Sequence, residues 1–147
     1  TSSGFRLMYL LDTNVVSELR KVNQGKADPN VAAWDASFDA TDLYLSVITV
    51  QELEIGILLA ERRDTAKGAL LRSWLNNHVL PAFEGRILDV DTAIALRSAS
   101  LHVPNPCSVT DGLIAATALV HGMTVVTRNV ADFVPTGVTI INPWEVR

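Results

Sequence analysis

Short apolar runs alternate with longer amphipathic stretches along this chain. Each run is bounded by polar residues, which is typical of strands buried on both faces of a parallel sheet. The pattern predicts strands at residues 8–11, 43–46, 86–88, 123–127 and 138–141. Helical spacing of apolar residues predicts helices at 13–21, 31–38, 47–63, 66–80, 92–101 and 110–121, with Pro81 ending the fourth. This alternation indicates an α/β fold, a three-layer α/β/α sandwich with a mostly parallel central sheet.

Length and composition indicate one domain and disfavour a membrane protein or a disulfide-bonded one. We expect a single domain over residues 8–147, with residues 1–7 a non-native or disordered N-terminal extension. No apolar run approaches the roughly 20 residues that span a bilayer, so no membrane partner is expected. The single cysteine, Cys107, cannot form an internal disulfide, which favours the cytoplasm. With a net charge of −4, a polyanionic ligand would need a local basic patch or bound cations.

Acidic residues follow the predicted strands at equivalent positions. Asp12 comes directly after the first strand, while Glu52 and Asp111 lie just inside helix starts. The 129–132 turn follows the fourth strand in the same way. Because the carboxyl ends of parallel strands lie along one edge of a sheet, these groups should meet in one acidic pocket.

Helix capping is the alternative explanation for each acid taken alone. Asp12 can act as an N-cap. Capping-box patterns are present at Thr49-x-x-Glu52 and Ser108-x-x-Asp111. Capping does not explain why three acids stand at three separate junctions between a strand or buried turn and a helix, so we favour the shared pocket.

A pocket of carboxylates favours a bound cation, since like charges raise each other's pKa. Oxygen ligands without cysteine or histidine indicate Mg²⁺ or Mn²⁺ rather than zinc, and such a centre suits phosphodiester hydrolysis. Haloacid-dehalogenase-type phosphatases are disfavoured because they need an acid where this chain has Asn14. Those phosphatases and the phosphoacceptor receiver domains also need a lysine after a late strand, which Lys21, Lys26 and Lys67 do not supply.

Four short motifs occur in order over nearly the whole chain. They are Leu10-Leu11-Asp12-Thr13-Asn14, Leu45-Ser46-x-Ile48-Thr49-x-x-Glu52-Leu53-x-x-Gly56, Asp111-x-x-Ile114-Ala115-Ala116-Thr117-Ala118 and Val126-Thr127-Arg128-Asn129-x-x-Asp132-Phe133. In these motifs the chain resembles the PIN-domain ribonucleases, and within them the VapC-type toxins of bacterial toxin–antitoxin pairs. The late Asn142-Pro143-Trp144 resembles the ending of the FitB-like branch. The resemblance implies a Mg²⁺- or Mn²⁺-dependent endoribonuclease with an RNA substrate, a homodimer, and a VapB-like antitoxin that blocks the site.

The resemblance also assigns roles to individual acids. Asp12, Glu52 and Asp111 are implied as the catalytic, metal-binding acids. The family often has a fourth acid where this chain has Asn129. Asp132 lies three residues later on the same helical face, so it is either the fourth catalytic acid or a surface carboxylate.

Polar residues beside these acids are candidates for orienting carboxylates, water or substrate. They are Thr13, Asn14, Ser46, Thr110, Thr127, Arg128 and Asn129. The hydroxyl and amide groups either orient the site or only cap their own helices. Arg128 is either a phosphate contact or a solvated loop arginine.

Two hypotheses concern what the chain binds. The alternative function is a non-catalytic nucleic-acid-binding partner in a toxin–antitoxin DNA-binding complex, although such a module gains nothing from negative charge facing phosphate. Helices 47–63 and 66–80 are expected to form a groove for the antitoxin. Gly56 costs that helix about 1 kcal/mol relative to Ala. It marks either a close approach of the antitoxin or tight packing within the chain.

Overall fold

Five short parallel strands form the central sheet of the computed structural model, which describes residues 6–145. The strands are Tyr9–Leu11 (β1), Leu43–Ser46 (β2), Ile87–Leu88 (β3), Thr124–Val126 (β4) and Ile140–Ile141 (β5). Their order across the sheet is β3-β2-β1-β4-β5, which places β1 at the centre. The predicted parallel sheet is therefore confirmed. The expectation for residues 1–7 falls mostly outside the described residues.

Helices join these strands and cover both faces of the sheet. They are Thr13–Leu19 (α1), Pro29–Ala36 (α2), Val47–Arg63 (α3), Thr65–Trp74 (α4), Leu80–Ala82 (α5), Thr92–Leu101 (α6), Val109–His121 (α7) and Val130–Phe133 (α8). Short 3-10 helices lie at Val22–Gln24, Ala40–Asp42 and Val134–Thr136. Within residues 6–145, no helix is both long and apolar enough to span a bilayer.

Alternation of side chains along β1 divides the core into two layers. Tyr9 and Leu11 pack on one face of the sheet with residues of α1, α2 and α3. Leu10 points to the other face, where it packs with residues of α7 and α8. Because successive strand residues point to opposite faces, a fully apolar strand needs helices on both sides. The predicted three-layer α/β/α sandwich is confirmed.

Pro81 does not end the helix that starts at Thr65. Instead α4 continues through a π-helical turn, Leu75–Val79, into α5, with the N–H of Leu80 donating to the carbonyl of Leu75. A proline ring clashes with the carbonyl four residues earlier in a regular α-helix. Here that residue, Asn77, lies inside the wider π turn, which accommodates the ring.

Candidate active site

Asp12 is fixed at the carboxyl end of the central strand. Its N–H donates to the carbonyl of Val126 on β4 at 2.9 Å. Its Oδ1 accepts from the N–H of Thr13 at 2.8 Å. Its Oδ2 accepts from Thr127 Oγ1 at 2.8 Å and from Asn14 Nδ2 at 3.3 Å. Asp12 therefore caps α1 and also presents a carboxylate oriented by groups from two strand ends.

Burial perturbs the ionisation of Asp12. The side chain is 5% exposed, and this burial raises the pKa of Asp12 above its ordinary value. Hydrogen bonds from Thr127, Thr13 and Asn14 oppose the rise, whereas the charge of Asp132 adds to it. Burial therefore raises the pKa of Asp12, while the hydrogen bonds that hold its carboxylate at the sheet edge partly offset that rise.

Glu52 is joined to Asp12 through a single threonine. Thr13 Oγ1 donates to Glu52 Oε1 at 2.6 Å, while the backbone N–H of Thr13 donates to Asp12. Glu52 lies in the second turn of α3, half-buried beside the start of α1. Thr13 thus sets the orientation of two carboxylates from two different elements.

The capping-box explanation of Glu52 is wrong, because α3 begins earlier than Thr49. The N-cap is Ser46, whose Oγ accepts from the N–H of Ile48 at 3.0 Å. Thr49 is fully buried inside the first turn, and its hydroxyl lies 3.5 Å from the carbonyl of Leu11. Glu52 is therefore not needed to cap this helix.

The pKa of Asp111 is affected by all three of the other acids in the cluster. Burial, followed by the charges of Asp12, Asp132 and Glu52, raises the pKa of Asp111 to about 6. Asp111 lies in the first turn of α7, and its backbone N–H donates to the Ser108 hydroxyl at 3.4 Å. The Ser108 cap is therefore present, and Asp111 also lies within the field of the other three acids.

The turn after β4 contributes Asp132 rather than Asn129 to the charge of the site. Asn129 is the N-cap of α8, and its N–H donates to Thr127 Oγ1 at 3.0 Å. Asp132 lies in the first turn of α8 and raises the pKa of both Asp12 and Asp111. The charge of Asp132 therefore acts on two of the three predicted metal-binding acids.

The other predicted polar residues divide by what their side chains contact. Ser46 and Thr110 interact with their own helix starts, Ser46 through Ile48 and Thr110 through Ser108 Oγ at 3.0 Å. Arg128 is exposed, and its guanidinium lies 5.1 Å from the ring centre of Trp144, a cation–π contact that leaves the side chain open to solvent.

Sequence reasoning missed a cationic and aromatic group next to Glu52. Arg20, Lys67 and Trp74 line a cavity of about 330 Å³ that also reaches Thr13 and Glu52. Arg20 is seven residues after Thr13, and Trp74 is seven after Lys67, so each pair lies two turns apart on one helix face. That spacing could have placed each pair on one helix face from the sequence. It could not show that α1 and α4 face each other across the cavity.

The donor set fits a hard divalent cation in type and charge. Asp12, Glu52 and Asp111 offer only oxygen atoms. Burial and then neighbouring acids raise the pKa of Asp12 and of Asp111, and a nearby cation would favour the ionised form of both. In the part of the chain that the structure describes, no three acidic, histidine or cysteine side chains are close enough to hold an ion directly.

The family model described as PIN domain matches residues 9–133. The chain belongs to the PIN-domain family.

Two curated relatives match nearly end to end. The chain is 42% identical over 144 residues to the VapC ribonuclease Y4jK of Sinorhizobium fredii, covering 94% of this chain and 99% of the relative. It is 39% identical over 143 residues to toxin FitB of Neisseria gonorrhoeae, with the same coverage. A solved structure of FitAB bound to an IR36 DNA fragment is similar with a TM-score of 0.85 and 36% identity, covering 95% of this chain and 98% of that one.

Proposed function

We propose that this chain is a divalent-metal-dependent endoribonuclease that acts as the toxin of a toxin–antitoxin pair. The observation that carries the proposal is that Thr13 joins Asp12 and Glu52 through hydrogen bonds of 2.8 and 2.6 Å, with Asp111 near enough for both charges to raise its pKa. The names of the relatives, a VapC ribonuclease and a toxin, support the same activity. The reaction is hydrolysis of RNA phosphodiester bonds, in the cytoplasm, by a homodimer.

In this proposal Asp12, Glu52 and Asp111 bind Mg²⁺ or Mn²⁺ partly through water molecules that the ion retains, because these side chains are not close enough to hold it directly. Asp132 is the fourth catalytic acid. When bound, the ion supplies positive charge that neutralises the scissile phosphate and makes a water molecule more acidic. The chain itself keeps the carboxylates oriented. Thr127 and Thr13 hold Asp12 through hydrogen bonds of 2.8 Å each.

The same proposal places a VapB-like antitoxin along α3. Gly56 is exposed, and a Cβ added there would meet no other described atom within 4 Å. Tight packing within the chain therefore does not explain this glycine. The close approach of α3 and α4 lies instead at Gly68, where an added Cβ would stand 2.6 Å from Glu61 Cα.

The surface beside Gly56 has the character of a protein-binding groove. Ile55, Leu58 and Leu59 are each about half exposed on α3, and the cavity beside Gly56 opens onto Glu52 and Thr13. An amphipathic antitoxin helix would cover the apolar residues and direct a basic side chain to the carboxylates, where it would compete with the metal.

A second candidate role is that of a non-catalytic subunit in a DNA-bound complex. The structure of FitAB bound to DNA favours it by analogy. Four acids at one sheet edge repel phosphate in the absence of a cation, so they support catalysis rather than passive binding.

Incubation with total RNA tests the proposal. We expect cleavage in Mg²⁺ or Mn²⁺, none in EDTA, and recovery when metal is restored. Cleavage that continues unchanged in EDTA would contradict the metal-dependent mechanism. A protein that binds DNA with its antitoxin but never cleaves RNA would support the second role.

A further inference from the structure

A second cavity next to the candidate active site combines planar, amide and cationic side chains. It holds about 400 Å³ between the end of α1 and α4. Its lining includes Arg20, Asn23, Gln24, Ser73, Trp74 and His78. Planar groups surrounded by hydrogen-bonding side chains are what an unpaired nucleobase requires.

This cavity is continuous with the space that reaches the acids. Arg20 and Trp74 line both the 400 Å³ cavity and the 330 Å³ cavity that ends at Thr13 and Glu52. The guanidinium of Arg20 lies 6.0 Å from the ring centre of Trp74, at this junction. A flexible strand can therefore run from the carboxylates, past Arg20, into the second cavity.

The charged side chains that line the two cavities are negative at the active-site end and positive farther from it. Lys67 lines the first cavity and Arg20 lines both, whereas the acidic side chain in their lining is Glu52 at the active-site end. The chain as a whole has a net charge of −4. A local cationic path on an acidic protein attracts a polyanion to this place rather than to the surface in general.

We propose that the second cavity is a nucleobase-binding subsite for single-stranded RNA, next to the scissile phosphate. This inference rests on the proposed ribonuclease function. One unpaired base stacks against Trp74 and the guanidinium of Arg20, and the amides of Asn23 and Gln24 hydrogen-bond to its edge. Lys67 contacts the phosphates between that base and the cleaved bond.

The amides in the lining favour a nucleotide over the antitoxin as occupant, and Leu19 and Leu70 add apolar surface against which the face of a base can pack. Asn23 and Gln24 are exposed amides, which carry both donors and acceptors and so match the edge of a base. The apolar surface suited to a protein helix lies in the first cavity, where Leu53, Ile57 and Leu71 stand beside Gly56. The two ligands would overlap at the first cavity, so antitoxin binding would also exclude RNA.

The first test measures binding of a fluorescent single-stranded RNA oligomer in EDTA, where the oligomer stays intact. Arg20→Gln and Trp74→Leu should each weaken binding on the order of tenfold, and Gln24→Ala on the order of fivefold. Trp74→Phe should keep most of the affinity because it keeps a stacking ring. Arg20→Gln should also reduce the salt dependence by about one phosphate contact.

Matched controls separate this subsite from general electrostatics and from misfolding. Lys26→Gln removes a charge from the loop after α1, and Asn76→Ala removes an exposed amide beyond α4; neither side chain lines the cavity. Both should bind RNA as the wild type does. Trp74 packs partly against the core, so the exposed Gln24 carries the test if Trp74→Leu fails to fold.

The second test scans one abasic nucleotide along an RNA that the enzyme cleaves. One position should lower kcat/KM on the order of tenfold, and Gln24→Ala should add nothing on that abasic RNA. Unchanged RNA binding by folded Arg20→Gln and Gln24→Ala would overturn the subsite. The same conclusion would follow if these variants lost binding of the antitoxin but kept binding of RNA. If the wild type cleaves no RNA, the ribonuclease proposal fails, and the EDTA binding series still decides the subsite.

Discussion

Replacing Asp111 by asparagine tests the acidic cluster through stability rather than activity. The pKa of this carboxyl rises from 3.8 to about 6, first through burial and then through Asp12, Asp132 and Glu52. A group whose pKa is higher in the folded state stabilises the fold below the unfolded pKa. That contribution is lost as pH rises through about 6, where the folded carboxyl ionises. Asp111→Asn removes this loss.

The expected gain is modest because Asp111 is only half-buried. A shift from 3.8 to about 6 corresponds to no more than about 3 kcal/mol at pH 8. Solvent screening of a half-exposed group reduces this to about 1 kcal/mol. For a domain of 147 residues, that gain raises Tm by about 2–4 °C.

Urea unfolding in EDTA at pH 4 and pH 8 measures the difference. Asp111→Asn should be more stable than wild type at pH 8, and the gain should shrink as pH falls to 4. The control is Glu84→Gln, an exposed carboxylate before β3, which should show no such pH-dependent gain. Equal stability of Asp111→Asn and wild type at pH 8 would refute the raised pKa of Asp111, which rests first on burial and then on repulsion by the other acids.

Three further substitutions address other parts of the site. Asp132→Ala should lower kcat/KM on RNA by about tenfold or more and Asn129→Ala by clearly less; the reverse order would show that the amide orients water and Asp132 is structural. Thr127→Val removes the hydroxyl that donates to buried Asp12, so stability in urea should fall by about 1–3 kcal/mol; no change would mean that this bond is dispensable. Gly56→Leu should abolish antitoxin binding in a pull-down and leave stability in urea unchanged, because its side chain enters open space; full antitoxin binding by this variant would place the groove elsewhere.

The sequence was sufficient to predict features that follow from strand direction. Asp12 follows β1 and Thr127 follows β4, and adjacent parallel strands bring those positions together whatever the loops do. Features that depend on how two helices face each other could not be predicted. Whether Gly56 faced open space or another helix required the placement of α3 against α4.

Two local signals predicted the wrong helix boundaries. Thr49 matched a capping box, yet β2 runs on to Ser46, so the helix starts there and Thr49 is buried beneath the site. Pro81 matched a helix stop, but the π turn at Leu75–Val79 accommodates it. The first signal conflicts with the strand end at residue 46, which the hydrophobic pattern itself predicts, and the second is overcome by a widening of the same helix.

The most direct test of the central claim compares RNA cleavage by wild type and Asp12→Asn over a series of Mg²⁺ concentrations. The asparagine keeps the size of the side chain and an oxygen that can accept from Thr13, so the fold should remain intact. We expect kcat/KM to fall by on the order of a hundredfold or more in Asp12→Asn, with wild-type activity lost in EDTA. Wild-type cleavage rates in a folded Asp12→Asn protein would contradict the assignment of this acidic cluster as the catalytic centre.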